Sequence, residues 1–298
     1  MKRLHYLLIL AILALTSCGQ TTEQRKAAEA EKTKLEKAAY TAAFKIAVMP
    51  TMDCLPIYLL KDSVLYDTTK VDIRLLRFNA QMDCDTAIIR GHVQAAASDL
   101  IRTERLRRIR HIPITYMTGT NLSWQLIGNR KSKLSKPADL SDKIVAMTRF
   151  SATDMLTDKV VKAAQPKYQV FRSQINDVFV RMKMLQNNEL DAFWFAEPQA
   201  TQARLSGHNV LYDSAEDAFR PGVIAFIEKD NRTLQQNAFR EAYDKAVELI
   251  NKNGTAYYAA LIEKYMQADK AVAKSLPKII YEKANAPRPS DVLQARKH

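Results

Sequence analysis

Glycine is scarce in this chain, seven among 298 residues, against about 7% in a typical domain. That scarcity excludes glycine-dependent phosphate loops, and no G-x-x-x-x-G-K-[ST] run occurs. G-x-S-x-G elbows and H-E-x-x-H zinc helices are missing as well. The histidines (His5, His92, His111, His208 and His298) are far apart and lack metal-ligand spacing. Surface or satisfied histidines are therefore expected, and neither a metal nor a cofactor is. The apolar run from Tyr6 to Leu15 is far shorter than the ~20 residues that cross a bilayer.

That short run does carry meaning. Lys2 and Arg3 precede it and small residues follow, the pattern of a cleaved export signal over 1–17. Leu15-Thr16-Ser17-Cys18 resembles the bacterial lipobox, in which cleavage leaves a lipid-modified cysteine first. Cys18 is thus expected to carry acyl chains and to anchor the protein on the periplasmic face of a bacterial membrane. Residues 18–43 are rich in Ala, Glu, Lys, Thr and Gln with almost no apolar stripe, which reads as a polar tether.

Charge is basic, with 45 Lys and Arg against 32 acids. Such a balance usually points to nucleic acid, but an exported chain with scattered charge argues against that partner. The dense cluster, Arg102 to Arg110, is expected to be a solvated helix face.

Outside Cys18 the cysteines are Cys54 and Cys84, and each closes a Met-Asp-Cys tripeptide, at 52–54 and 82–84. Apolar strand patterns precede both copies and helical patterns follow, so each sits at a strand-to-helix turn. Thirty residues is about one such unit. Asp at these turns is expected to cap a helix, and the turns lie where open α/β sheets bind ligands. The pair allows a disulfide in an oxidising compartment, two buried free thiols, or a zinc site with Asp53 and Asp83; no histidine is placed to complete the last.

Short β-rich runs recur at 45–49, 71–77, 112–118, 143–148, 168–172, 191–195 and 222–227. Helical spacing links Ile175, Val178, Phe179, Met182 and Leu185. It also links Phe239, Ala242, Tyr243, Ala246, Val247 and Ile250. This alternation predicts an α/β protein with mostly parallel sheets covered by helices.

From residue 137 onward the order of features resembles the type 2 periplasmic binding proteins of ABC importers, in the branch handling sulfonates, nitrate and thiamine precursors. The matching residues are Asp139-Leu140, Lys143-Ile144-Val145-Ala146, Ser151, Leu185, Leu190-Asp191-Ala192 and Glu197-Pro198. Two family glycines are replaced by Asp142 and Asn188, which tolerate positive φ better than other non-glycine residues.

The resemblance implies two lobes, 44–117 plus 218–298 and 118–217, with a ligand cleft between them. The crossings would lie within 112–124 and near Arg220-Pro221-Gly222. A monomer would capture a small molecule and deliver it to an ABC permease and its ATPase. Lobe one would offer Thr51, Met52, Asp53, Asn79, Gln81, Ser98 and Asp99. Lobe two would offer Arg149, Phe150, Ser151, Ala152, Thr153, Trp194 and Glu197. A heterocyclic amine stacked on Trp194 or Phe150 fits this set better than an oxyanion held by Arg149. The alternatives are an enzyme on the same fold, of the menaquinone- or thiamine-pyrimidine-pathway kind, and a sensor or adhesion lipoprotein.

Overall fold

The computed structural model describes residues 22–298; the export signal and Cys18 lie outside the described residues. Two units emerge, one ending at Ala43 and one spanning Phe44–His298.

The first contains a single described helix, α1 (Thr22–Ala42). Its side chains from residue 25 on are exposed, Leu35 and Tyr40 among them. The segment expected as a tether is thus one continuous 21-residue helix. Good helix formers suffice for that, and the lack of an apolar stripe leaves no face buried. No described helix is long and apolar enough to cross a membrane.

The second unit begins with β1 (Phe44–Val48), α2 (Leu55–Asp62), β2 (Ile73–Arg77), α3 (Gln81–Ile89), β3 (Ala95–Asp99), α4 (Leu100–Arg110) and β4 (Ile114–Gly119). The chain then crosses to β5 (Gln125–Gly128), β6 (Ile144–Met147), α5 (Ala152–Ala164), β7 (Phe171–Gln174), α6 (Val178–Gln186), β8 (Ala192–Phe195), α7 (Gln199–Leu205) and β9 (Asn209–Asp213). It returns through β10 (Gly222–Ile227) to α8 (Thr233–Asn253), α9 (Ala259–Met266), α10 (Lys270–Ser275) and α11 (Pro289–Ala295).

Two five-stranded sheets result, ordered β2-β1-β3-β10-β4 and β7-β6-β8-β5-β9. Both are mixed in pairing but mostly parallel in strand direction: in each, four strands run one way and the fifth opposes them. β1 pairs parallel with β2 and β3, and β6 with β7 and β8. β10 and β5 run antiparallel to both neighbours. Each of these is the first strand after a crossing, so it enters its sheet in the opposite sense. At the crossings the chain segments nearly touch. The Thr120 N–H donates to the Gly222 carbonyl at 2.8 Å. A Cβ on Gly222 would lie 2.3 Å from Thr120 Oγ1 and 2.6 Å from Leu122 Cβ, so this close approach requires glycine.

Burial explains the pattern. β1 is buried at every position, the mark of a strand covered on both faces. Its Phe44 ring lies 5.5 Å from Phe239 of α8, and the expected α8 stripe of Phe239, Ala242, Tyr243, Ala246, Val247 and Ile250 is buried throughout. On α6, Val178, Met182 and Leu185 are buried, and Ile175 and Phe179 pack partly against them. Strand β3, Ala-Ala-Ala-Ser-Asp, has weak β propensity; pairing on both sides makes it a strand.

Asp142 and Asn188 adopt φ of 60° and 59°, the left-handed turns their positions require.

Candidate functional site

The strand ends of the two sheets face each other, and hydrogen bonds clasp them together. The Met52 N–H donates to the Glu197 carbonyl at 2.9 Å, and the Val178 N–H donates to the Asn79 carbonyl at 3.0 Å. Gln199 Nε2 donates to the Pro50 carbonyl at 2.9 Å. Met82 Sδ accepts from Gln174 Nε2 at 3.1 Å and from Asn176 Nδ2 at 3.0 Å. Both Met-Asp-Cys turns thus touch the second sheet's loops.

Two cavities lie along this contact, and both have Asp53 and Leu122 in their walls. The strand-end void measures about 70 Å³. It gathers the expected residues Thr51, Asp53, Gln81, Ser98, Asp99, Ser151, Thr153 and Trp194. These side chains largely satisfy one another. Gln81 Nε2 donates to Ser98 Oγ at 3.1 Å. Ser151 Oγ lies 2.9 Å from Thr153 Oγ1 and donates to the Thr148 carbonyl at 2.7 Å.

The second cavity, about 750 Å³, borders both crossings. Met52, Asp53, Gln125, Glu197 and Arg204 form its inner wall, and the C-terminal segment from Pro277 to Arg288 forms the outer one. That segment is laced into the fold. Tyr281 Oη donates to the Met52 carbonyl at 2.7 Å, and the Tyr281 N–H donates to Asn251 Oδ1 at 3.0 Å. The Asn285 N–H donates to Thr118 Oγ1 at 3.1 Å.

Two buried carboxylates dominate the electrostatics. Burial pushes Asp53 up to about 6, resisted by the Thr51 and Thr120 hydroxyls and backbone N–H groups. Burial likewise pushes Asp99 up to about 6, against the nearby Arg102 charge and N–H groups of Arg102 and Ala152. Asp99 caps α4, accepting from the Arg102 N–H at 3.0 Å. Asp53 caps nothing in this way, and its Oδ1 is buried without a hydrogen-bond partner among the described residues.

Several expectations need correction. Arg149 and Phe150 are exposed and line neither cavity. Phe150 turns outward at φ 57° beneath the Arg105 guanidinium, 3.9 Å from its ring centre. Trp194 is fully buried in an apolar cluster that also holds Leu100, Ile101 and Val223, and its Nε1 donates to Thr157 Oγ1 at 2.8 Å. Trp194 is thus committed to packing, and Phe150 lies away from both cavities. Asn79 contributes its carbonyl to the clasp while its side chain is exposed, and Ala152 lines neither cavity. Glu197 is already engaged, accepting from the Thr201 N–H at 2.9 Å and pairing with Arg204 at 2.9 Å. Asp83 is exposed, and Ala80, at the cap position before α3, offers no side-chain cap. Cys54 and Cys84 are free buried thiols, both raised by burial. Among the described residues no group of His, Cys, Asp and Glu is placed to hold a metal. Arg102 is not part of a solvated face but is buried in an ion pair with Asp85.

The buried cation missed by sequence reasoning is Arg181. It donates to the carbonyls of Ile175 and Trp194 and to Thr148 Oγ1, and it lines the strand-end void. Burial lowers it to about 10. The signal was present, because Arg181 falls on the same helix face as Val178, Met182 and Leu185.

Two mixed sheets flanked by helices, with the chain passing twice between them, make the periplasmic binding protein fold, and solved structures share it. The alkanesulfonate-binding protein SsuA from Xanthomonas axonopodis pv. citri, bound to MOPS, superposes with a TM-score of 0.70 at 16% identity, over 86% of this chain and 90% of that one. A ligand-binding component of an ABC-type import system from Staphylococcus aureus, with zinc bound, gives 0.71 at 16% identity, over 85% and 89%. The periplasmic nitrate-binding protein NrtA from Synechocystis PCC 6803 gives 0.67 at 12%, over 78% and 68%. By sequence the chain belongs to the NMT1/THI5-like family, whose family model matches residues 51–262. No curated protein sequence matches it.

Proposed function

We propose that this protein is an extracytoplasmic solute-binding protein that captures a small molecule between lobes 44–117 plus 218–298 and 118–217. It then presents that molecule to an ABC permease and its ATPase while lipid on Cys18 holds it at the membrane. The observation carrying this reading is the cavity of about 750 Å³ between the two sheets, bordered by both crossings. Small-molecule sites typically enclose about 300–1,000 Å³, and crossings are where a hinge closes such a site.

The type of fold favours this reading, since the structural relatives named above are an alkanesulfonate-binding protein, a periplasmic nitrate-binding protein and the ligand-binding component of an ABC-type import system.

The test is native mass spectrometry of protein purified without refolding, followed by small-angle scattering before and after the bound molecule is removed. A co-purified small molecule whose removal enlarges the radius of gyration supports solute capture. Protein that carries no molecule and keeps one radius under both conditions overturns it. Anchoring is tested separately: Cys18→Ser protein that stays on membranes after a salt wash overturns the lipid anchor.

A further inference from the structure

Resting on the solute-binding reading, we propose that the solute sits in the chamber beside the crossings rather than in the strand-end void. We further propose that it is an organic cation whose ammonium or amidinium head donates to Asp53.

Size separates the two compartments. The strand-end void, at about 70 Å³, falls well below the range of small-molecule sites, whereas the chamber, at about 750 Å³, falls within it. Arg181 and the Gln81–Ser98 and Ser151–Thr153 pairs occupy the strand-end space. The chamber's outer wall lies beyond residue 262, where the family match ends.

Charge selects the ligand. The arginines of the chamber are engaged within the protein. Arg204 pairs with Glu197 at 2.9 Å and Arg288 with Asp291 at 2.8 Å, while Arg220 Nη1 donates to the Ala215 carbonyl at 2.6 Å. Lys278 is exposed at the rim. Asp53 differs from all of these: it is buried, it forms no ion pair among the described residues, and its Oδ1 lacks a hydrogen-bond partner. An orphaned buried acceptor on a cavity wall is costly until a donor fills it, and a cationic N–H donor is the strongest such partner. Tyr281 and Tyr243 stand beside it, so an apolar or aromatic body would follow the head.

The test is calorimetric titration with benzamidine, tryptamine and 1,5-diaminopentane, with benzenesulfonate and nitrate as anionic counterparts. The variants are Asp53→Asn, Ile280→Trp to crowd the chamber from an exposed wall position, and Gln81→Leu in the strand-end void. Folding of each is checked by circular dichroism. At least one cation should bind, weakened about tenfold or more by Asp53→Asn, weakened by Ile280→Trp and unchanged by Gln81→Leu. Binding of anions alone, or of no cation, overturns the inference. So does cation binding indifferent to Asp53→Asn, or binding lost in Gln81→Leu and retained in Ile280→Trp. A co-purified molecule without a basic nitrogen overturns the cation assignment but leaves solute capture standing.

Discussion

The Met52 N–H donates to the carbonyl of Glu197 at 2.9 Å, joining the turn after β1 to the turn after β8. The second copy of the Met-Asp-Cys tripeptide makes a contact of the same kind. Met52 and Met82 stand at the ends of adjacent parallel strands, and both reach across to the second sheet's loops, one by backbone and one by sulfur. The repeat is a pair of contact points on one sheet edge.

Loosening the clasp should open the molecule. Gln199→Ala removes the donor to the buried Pro50 carbonyl, an acceptor whose loss of partner costs about 1–3 kcal/mol. Each 1.4 kcal/mol is about tenfold in an equilibrium, so the ligand-free variant should populate the open form more. Small-angle scattering should then give a larger radius of gyration than wild type. An unchanged radius would mean that this contact does not hold the two sheets together.

Asp53 and Asp99 predict a pH dependence of definite sign. Both are raised from the ordinary 3.8 to about 6 by burial, so the folded state holds protons that the unfolded chain has released. Their contribution to stability is fully present below about 3.8 and is lost as pH rises through about 6, on the order of 3 kcal/mol per group. Asp53→Asn should therefore flatten the loss of stability between pH 4 and pH 7 and exceed wild type at neutral pH, as read by urea unfolding. Parallel curves for variant and wild type would remove Asp53 from this account.

The left-handed turns give a third expectation. Asn188 and Asp142 hold φ near 60°, where a β-branched side chain is strained by about 1–2 kcal/mol and glycine is not. Asn188→Val should lower unfolding stability by about that amount, whereas Asn188→Gly should stay within about 1 kcal/mol of wild type. Equal stability of the two variants would contradict the turn assignment.

Periodicity in the chain carried much of the fold. The α8 stripe from Phe239 to Ile250 is readable because a helix buried on one face must repeat near every 3.6 residues. The runs at β1, β6, β8 and β10 are readable because strands covered on both faces must be apolar throughout. The tolerance of Asp142 and Asn188 for positive φ is likewise a local property of residue type. Pairing direction was not legible, because β5 and β10 acquire theirs only from the crossings that precede them. Nor was the β-structure of Ala95–Asp99, which depends on neighbours nearly fifty and more than a hundred residues away. The site divided in the same way. Which turns approach the cleft followed from strand-to-helix order, but which side chains face it did not. Trp194 and Phe150 were equally plausible as stacking rings by sequence; one is sealed by Thr157 and the other is turned outward under Arg105. Asp53 stands on the wall of a chamber that Tyr281, 228 residues later, helps to close by folding back over Met52. Such contacts are decided by long-range packing, which no local pattern of residues records.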